Sequence, residues 1–79
     1  MSVRLTEALG LLSIARQYVT DGEGFVSRQR AYVDRLERRG LDASHALVYL
    51  ETLEGMQAEY VDHMEKLERQ VLMLVKPQD

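Results

Sequence analysis

The sequence predicts an all-α fold, an antiparallel hairpin of two long helices in a single domain. Apolar residues recur at steps of three and four along most of the chain, a glycine and an aspartate mark a boundary near its middle, and the two halves carry opposite net charge. A chain of 79 residues has room for one small domain, and the absence of cysteine excludes a disulfide scaffold, a thiol nucleophile and a thiolate zinc site.

The first predicted helix runs from about residue 3 to residue 39. One line of side chains alternates by four and three residues and is predicted to face the second helix: Leu11, Ala15, Tyr18, Gly22, Phe25, Gln29, Tyr32 and Leu36. A second line repeats every seven residues: Leu5, Leu12, Val19, Val26 and Val33. Gly22 and Gly24 each disfavour a helix by about 1 kcal/mol relative to alanine. The apolar residues keep the same helical phase before and after both glycines. A continuous helix requires this and a loop does not, so we favour one continuous helix. The alternative is a break near Gly22-Gly24 that gives a three-helix bundle.

A turn is predicted at residues 40–42. Arg38 and Arg39 suit the last turn of a helix, where the helix dipole is negative, and Gly40 can adopt the left-handed conformation that ends it. Asp42 is a good N-cap for the next helix, with Ser44 as the alternative cap. So short a connection makes the second helix run back antiparallel beside the first.

The second predicted helix covers about residues 43–75 and ends before a short tail that begins at Lys76-Pro77. Its apolar line keeps the steps of four and three throughout: Ala46, Leu50, Leu53, Gln57, Tyr60, Met64, Leu67, Val71 and Leu74. Pairing around the turn is predicted to place Gly22 opposite Tyr60. Residues 25–40 carry a net charge of +3 and residues 42–68 a net charge of −6, which favours the same pairing.

The apolar stripe is wider than one neighbouring helix can cover. We therefore predict a homodimer in which two hairpins form a four-helix bundle. The residues expected to flank the contact between the helices and to mediate self-association are Leu5, Leu12, Val19, Val26, Val33, Leu47 and Val61. The alternative is that this face docks on a different protein.

The side chains that carry chemistry do not form a recognisable site in the sequence. His63 has acidic neighbours but lacks the Glu-x-x-His motif of carboxylate-bridged di-iron bundles, and His45 lies in a helix start without the elements of a catalytic triad. We expect no catalytic, cofactor or metal site. The protein is predicted to be non-enzymatic and to act through protein–protein contacts, with a regulatory or adaptor role.

Four arginines near the turn are candidate contacts for an anion: Arg28, Arg35, Arg38 and Arg39. They support an alternative function as an accessory protein on nucleic acid. The strongly acidic second helix would repel a phosphate backbone, so nucleic acid is the less favoured partner.

The chain shows no sign of export or membrane insertion. Its first residues lack the long apolar run of a signal peptide, and the uncharged stretch at residues 8–15 is far shorter than the ~20 residues that span a bilayer. We expect a cytoplasmic protein without a membrane partner.

The central part of the chain resembles a group of short, uncharacterised bacterial proteins. The matching residues are Arg28-Gln29-Arg30, Val33, Leu36-Glu37-Arg38, Gly40, Asp42, Ala46, Leu50, Leu53-Glu54, Gln57 and His63. The resemblance covers roughly residues 25–69 and does not extend to the first twenty residues. It implies a helical hairpin of bacterial origin and brings no activity, cofactor or substrate.

Overall fold

The computed structural model describes residues 3–75, which form two helices, α1 from Val3 to Arg38 and α2 from Ser44 to Val75. The helices pack antiparallel in a rod whose Cα atoms span 63 × 15 × 14 Å. The predicted all-α hairpin is confirmed. Helix α1 passes through both glycines without a break, so the three-helix alternative is wrong. The predicted stop at Lys76-Pro77 and the tail after it lie outside the described residues.

The turn ends α1 with a Schellman motif. Gly40 adopts a left-handed φ of 71°, as the sequence predicts. The Leu41 amide donates to the Leu36 carbonyl at 2.9 Å, and the Gly40 amide donates to the Glu37 carbonyl at 3.0 Å. These two bonds satisfy carbonyls that the end of a helix otherwise leaves without a partner.

Asp42 stabilises the start of α2 from just outside the helix. Its carboxylate accepts hydrogen bonds from the hydroxyl of Ser44 and from the Ser44 amide, the latter at 2.9 Å. These two donors lower the pKa of the Asp42 carboxyl. The Leu47 amide donates to the Ala43 carbonyl at 2.8 Å, so Ala43 is the first residue to accept a helical bond. Ala43 therefore occupies the N-cap position, and Asp42, predicted as the N-cap, caps α2 from the position before it.

The seam, meaning the contact between α1 and α2, is built from small and aliphatic side chains. Its buried residues on α1 are Ala8, Leu12, Ala15, Val19, Gly22 and Val33. On the other side of the seam they are Ala43, Ala46, Leu50 and Leu67. Every residue of the line predicted for the second helix is buried or half-buried.

The line of four-and-three steps predicted for α1 is wrong in half of its members. Ala15 and Gly22 are buried, and Gln29 and Leu36 are half-buried. The large residues between them lie outside the seam: Leu11, Tyr18, Phe25 and Tyr32 are 44–55% exposed. Alanine and glycine bring the two helix backbones close together, and rings of this size do not fit between helices at that distance. The residues of α1 that face α2 are instead the small ones, such as Ala15 and Gly22, together with the line of Leu12, Val19 and Val33 that repeats every seven residues.

The predicted pairing of Gly22 with Tyr60 is wrong. Gly22 faces Gln57, three residues nearer the turn. The absence of a side chain at Gly22 makes room for the Gln57 amide, whose Nε2 donates to the Val19 carbonyl at 2.9 Å. Tyr60 lies on the surface edge of the seam and stacks on Tyr18, with 5.6 Å between the ring centroids. The hydrogen bond from Gln57 to the Val19 backbone thus sets the register at this level. The predicted pairing does not include this bond.

Candidate interaction surface

The rod has two long faces, one on each side of the seam. The aromatic face is formed by Leu11, Tyr18, Phe25, Tyr32, Tyr49, Met56 and Tyr60. The charged face is formed by Arg16, Glu23, Arg30, Glu54 and Glu68. On each helix most members of one face are seven residues apart, and Tyr60 follows Met56 by four. Residues at these spacings share one side of a helix that packs along its length.

The aromatic face contains an open groove of about 320 Å³ at the middle of the rod. Tyr18 and Tyr60 stack at an angle of 17° along it. Phe25 is 54% exposed, Tyr49 is 55% exposed and Met56 is 43% exposed. Large apolar side chains are thus half exposed on one continuous side of the rod.

A row of charged side chains borders the aromatic face on α1. The Arg28 guanidinium lies 5.1 Å from the centroid of the Phe25 ring, and Arg35 lies 5.7 Å from that of Tyr32. Both distances fit a cation–π interaction. Asp21 precedes Arg28 by seven residues on the same row, and its Oδ1 accepts a hydrogen bond from Gln17 Nε2 at 2.9 Å. The border of the face therefore carries both signs of charge.

Two glutamines in the seam hold the helices in register beneath this face. Gln29 Nε2 donates to the Ala46 carbonyl at 3.0 Å, and Gln57 Nε2 donates to the Val19 carbonyl at 2.9 Å. Gln57 Oε1 is buried beside Gly22 and has no hydrogen-bond partner. A buried polar group without a partner is costly, so this side chain favours one arrangement of the helices at some expense of stability.

The charged face is satisfied within one chain. Arg16 contacts Glu68 at 3.3 Å and Arg30 contacts Glu54 at 2.9 Å, in both cases from one helix to the other. Each partner keeps more than a third of its side chain in contact with solvent. These charges are paired and hydrated at the same time, so nothing in their geometry calls for a further partner.

The seven residues predicted for self-association belong mainly to the seam. Leu12, Val19 and Val33 are buried inside the hairpin, and Leu5, Val26 and Val61 are half-buried. Leu47, which is 38% exposed, follows the same line of α2 as Glu54. Helix α2 already covers the line that repeats every seven on α1, so most of these side chains are not free for a second hairpin. Tyr18, Phe25 and Tyr32, which are predicted to face the second helix, are exposed instead.

A signal for this assignment was present in the sequence. The inward line of α1 alternates alanine or glycine with aliphatic residues from Ala8 to Val26, which is typical of two closely packed helices. Leu11, Tyr18, Phe25 and Tyr32 also repeat every seven, but as bulky residues they form a separate line.

The four predicted anion contacts occupy different places. Arg28 and Arg35 lie two turns apart on the border of the aromatic face, and Arg38 donates from Nε to the Asp34 carbonyl at 3.4 Å. Arg39 follows the last residue of α1. The ion pairs between the helices use Arg16 and Arg30, neither of which is among the four.

The described residues offer no metal-binding cluster. Between residues 3 and 75, no three His, Asp or Glu side chains are arranged to hold a metal ion. Neither α1 nor α2 contains a segment that is long and apolar enough to cross a membrane. Comparison of the chain with protein-family models, with curated proteins and with solved structures finds no match.

Proposed function

We propose that this protein is a non-enzymatic interaction module that pairs with a second copy of itself through the aromatic face. Two hairpins would then form a four-helix bundle. The observation that carries the proposal is the half-exposed row of large apolar residues on one side of a rod only two helices thick. Tyrosine and phenylalanine are enriched at protein interfaces, where they supply much of the binding free energy.

The exposed area of the chain supports a partner. The chain exposes 6283 Å². A compact monomer of 9.1 kDa would expose about 4,900 Å², so the excess is about 1,400 Å². A protein–protein interface of ordinary size covers about 800 Å² on each partner. One flat contact along the rod is therefore large enough for a stable dimer.

Charge complementarity favours the aromatic face over the charged face. On the charged face Arg16 and Arg30 are already paired with glutamates of the same chain, and burying these pairs would require removal of their water. In the middle of the aromatic face the residues are apolar or aromatic, and Arg28 lies at the border. This is the arrangement of an interface with an apolar centre and a polar rim.

The experiment is a pair of single-lysine variants at the middle of α1, measured by light scattering at several concentrations. Phe25→Lys adds a positive charge to the aromatic face, whereas Ser27→Lys adds the same charge two residues away, beside the charged face. We expect the wild type and Ser27→Lys to have the mass of a dimer, and Phe25→Lys to have the mass of a monomer at the same concentrations. The melting temperature of the two dimeric chains should rise with concentration, by mass action.

A wild type with a monomer's mass at all concentrations would overturn the proposal, as would equal masses for the two variants. The first result would leave the aromatic face as a docking surface for a different protein.

A second candidate function is contact with single-stranded nucleic acid. It is favoured by the position of Arg28 and Arg35 against exposed rings, because bases can stack on such rings while arginine meets the phosphates. The acidic character of α2 weighs against it. We expect no shift of a labelled oligonucleotide in a gel at physiological salt. A tight, salt-dependent shift that Arg28→Glu with Arg35→Glu abolishes would reverse this order of preference.

A further inference from the structure

We infer that the two copies of the dimer run antiparallel, related by a two-fold axis that crosses α1 at right angles between Gly24 and Phe25. This inference rests on the proposed self-association and adds the arrangement of the partner. In the dimer, α1 would lie on α1 of the second copy and α2 on α2 of the second copy.

Only two symmetric arrangements place the aromatic faces of two rods against each other. If the two-fold axis runs along the rods, α1 of one copy lies on α2 of the other copy at the same level. If the axis runs across the rods, each helix lies on its own counterpart in the opposite direction. Both bury the same face, so the charges on its border must discriminate between them.

The axis across the rods pairs opposite charges. Asp21 and Arg28 lie seven residues apart on the border of the face, symmetrically about the point between Gly24 and Phe25. The axis therefore brings Asp21 of each copy to the level of Arg28 of the other, and it does so twice. Pairs at the rim of an interface contribute modestly to affinity but select the register.

The other arrangements do not give these charges opposite partners. Since Gly22 faces Gln57, Asp21 lies within two residues of the level of Met56 on the other helix. An axis along the rods would thus place Asp21 of each copy beside this apolar member of the aromatic face of the other, and not beside a base. An axis across the rods but half a heptad closer to the N-terminus, at Asp21, would bring the two Asp21 carboxylates together. The first alternative removes water from a carboxylate without pairing it, and the second is disfavoured by repulsion.

The same axis also matches the apolar residues. It places Tyr18 opposite Tyr32 of the second copy and Phe25 beside its own counterpart. Gly22 and Gln57 lie at the same level, so Met56 on α2 lies at the level of residue 23 on α1. Met56 is therefore near the axis and close to Met56 of the second copy. The groove at the middle of the rod would then be filled from both sides by Phe25 and Met56.

The test measures distances between spin labels, since a chain without cysteine can be labelled at one chosen position. Gly10→Cys and Arg39→Cys place the label at equal distances from the proposed axis, on opposite sides of it. A cysteine at Gly10 meets no other atom within 4 Å. At 1.5 Å per residue, dimers labelled only at Arg39 or only at Gly10 should each show about 44 Å between labels. Mixed dimers with one label of each kind should show a distance below about 25 Å.

The reverse pattern would overturn the antiparallel arrangement while leaving the dimer intact: short distances for each single label and a long one for the mixture. The absence of any dipolar coupling, together with the mass of a monomer, would overturn the proposed function itself. As a second measurement, Arg28→Asp alone should weaken association roughly 3- to 10-fold. Combining it with Asp21→Arg should restore the association constant to within about twofold, since the pairs then form with exchanged charges. A double variant no better than Arg28→Asp alone would contradict the proposed register.

Discussion

The two long faces of the hairpin differ in how far one chain can satisfy them. On the charged face, Arg16 and Arg30 reach across to acids of α2, and the paired groups stay hydrated. On the aromatic face, Tyr18 and Phe25 remain half exposed, although they lie on the same helix. An exposed ion pair has little further free energy to gain from burial, whereas an exposed ring gains about 25 cal/mol for each Å² removed from water.

Two helices provide enough neighbouring groups to pair charged side chains, but too few to bury large apolar side chains. The core of this hairpin consists of two small clusters, one around Leu50 and Val33 near the turn, the other around Leu12 and Leu67. The residues with the greatest apolar area lie outside both clusters. A further layer on the aromatic face would bury them, and this is the physical motive for the proposed dimer.

The largest effect on the aromatic face within one chain should come from the floor of its groove. A methyl group added in Gly22→Ala would overlap Gln57 Oε1, which must then move and loosen the bond to the Val19 carbonyl. We expect the free energy of unfolding to fall by about 1–3 kcal/mol. Chemical denaturation followed by circular dichroism measures it.

Gly24→Ala is the matched control for this change, because Gly24 lies two residues away on the same helix. Its methyl group would meet only the flexible end of Arg28, at 3.3 Å, and α1 has ordinary helical geometry there. We expect a gain of about 0.5–1 kcal/mol from the reduced freedom of the unfolded chain. Equal losses of unfolding free energy in the two variants would contradict the close approach of Gln57 to Gly22 as the cause.

A smaller effect is expected on the charged face. In a double-mutant cycle of Arg30→Ala and Glu54→Ala, the coupling free energy should stay below about 1 kcal/mol, because both side chains are largely exposed. It should decrease further when salt is added. Denaturation of the four chains with and without added salt measures it. A coupling of several kcal/mol would mean that this face, too, is buried in the native assembly.

The smallest effect should lie at the turn, which belongs to neither face. The hydrogen bonds from Ser44 lower the pKa of Asp42 below its unfolded value, so the charged carboxylate stabilises the folded chain above that unfolded value. This contribution is lost as the pH falls through the lowered pKa. Asp42→Asn has no charge to lose, so its melting temperature should be lower than that of the wild type at neutral pH. The difference should vanish at strongly acidic pH, and a difference that grows on acidification would contradict this assignment.

The two helices, their antiparallel direction and the turn between them could all be predicted from the amino-acid sequence. A continuous period of three and four residues predicts one long helix even through Gly22 and Gly24, because the phase of that period does not change there. Gly40 predicts the left-handed end of α1, since few other residues adopt that conformation at low cost. These are local properties, and neighbouring residues in the chain are sufficient to decide them.

Only the tertiary structure decided which apolar line became the seam and how the helices are displaced along each other. Both lines on α1 have helical spacing, and their relative burial depends on how closely the second helix approaches. The small residues of the seam, Ala15 and Gly22 on α1 and Ala46 on α2, allow a close approach, and Tyr18 and Phe25 lie outside it. The register in turn depends on whether the Gln57 amide can reach the Val19 carbonyl across the seam, a matter of a few ångströms in space. Periodicity along one helix carries no information about such a distance between two helices.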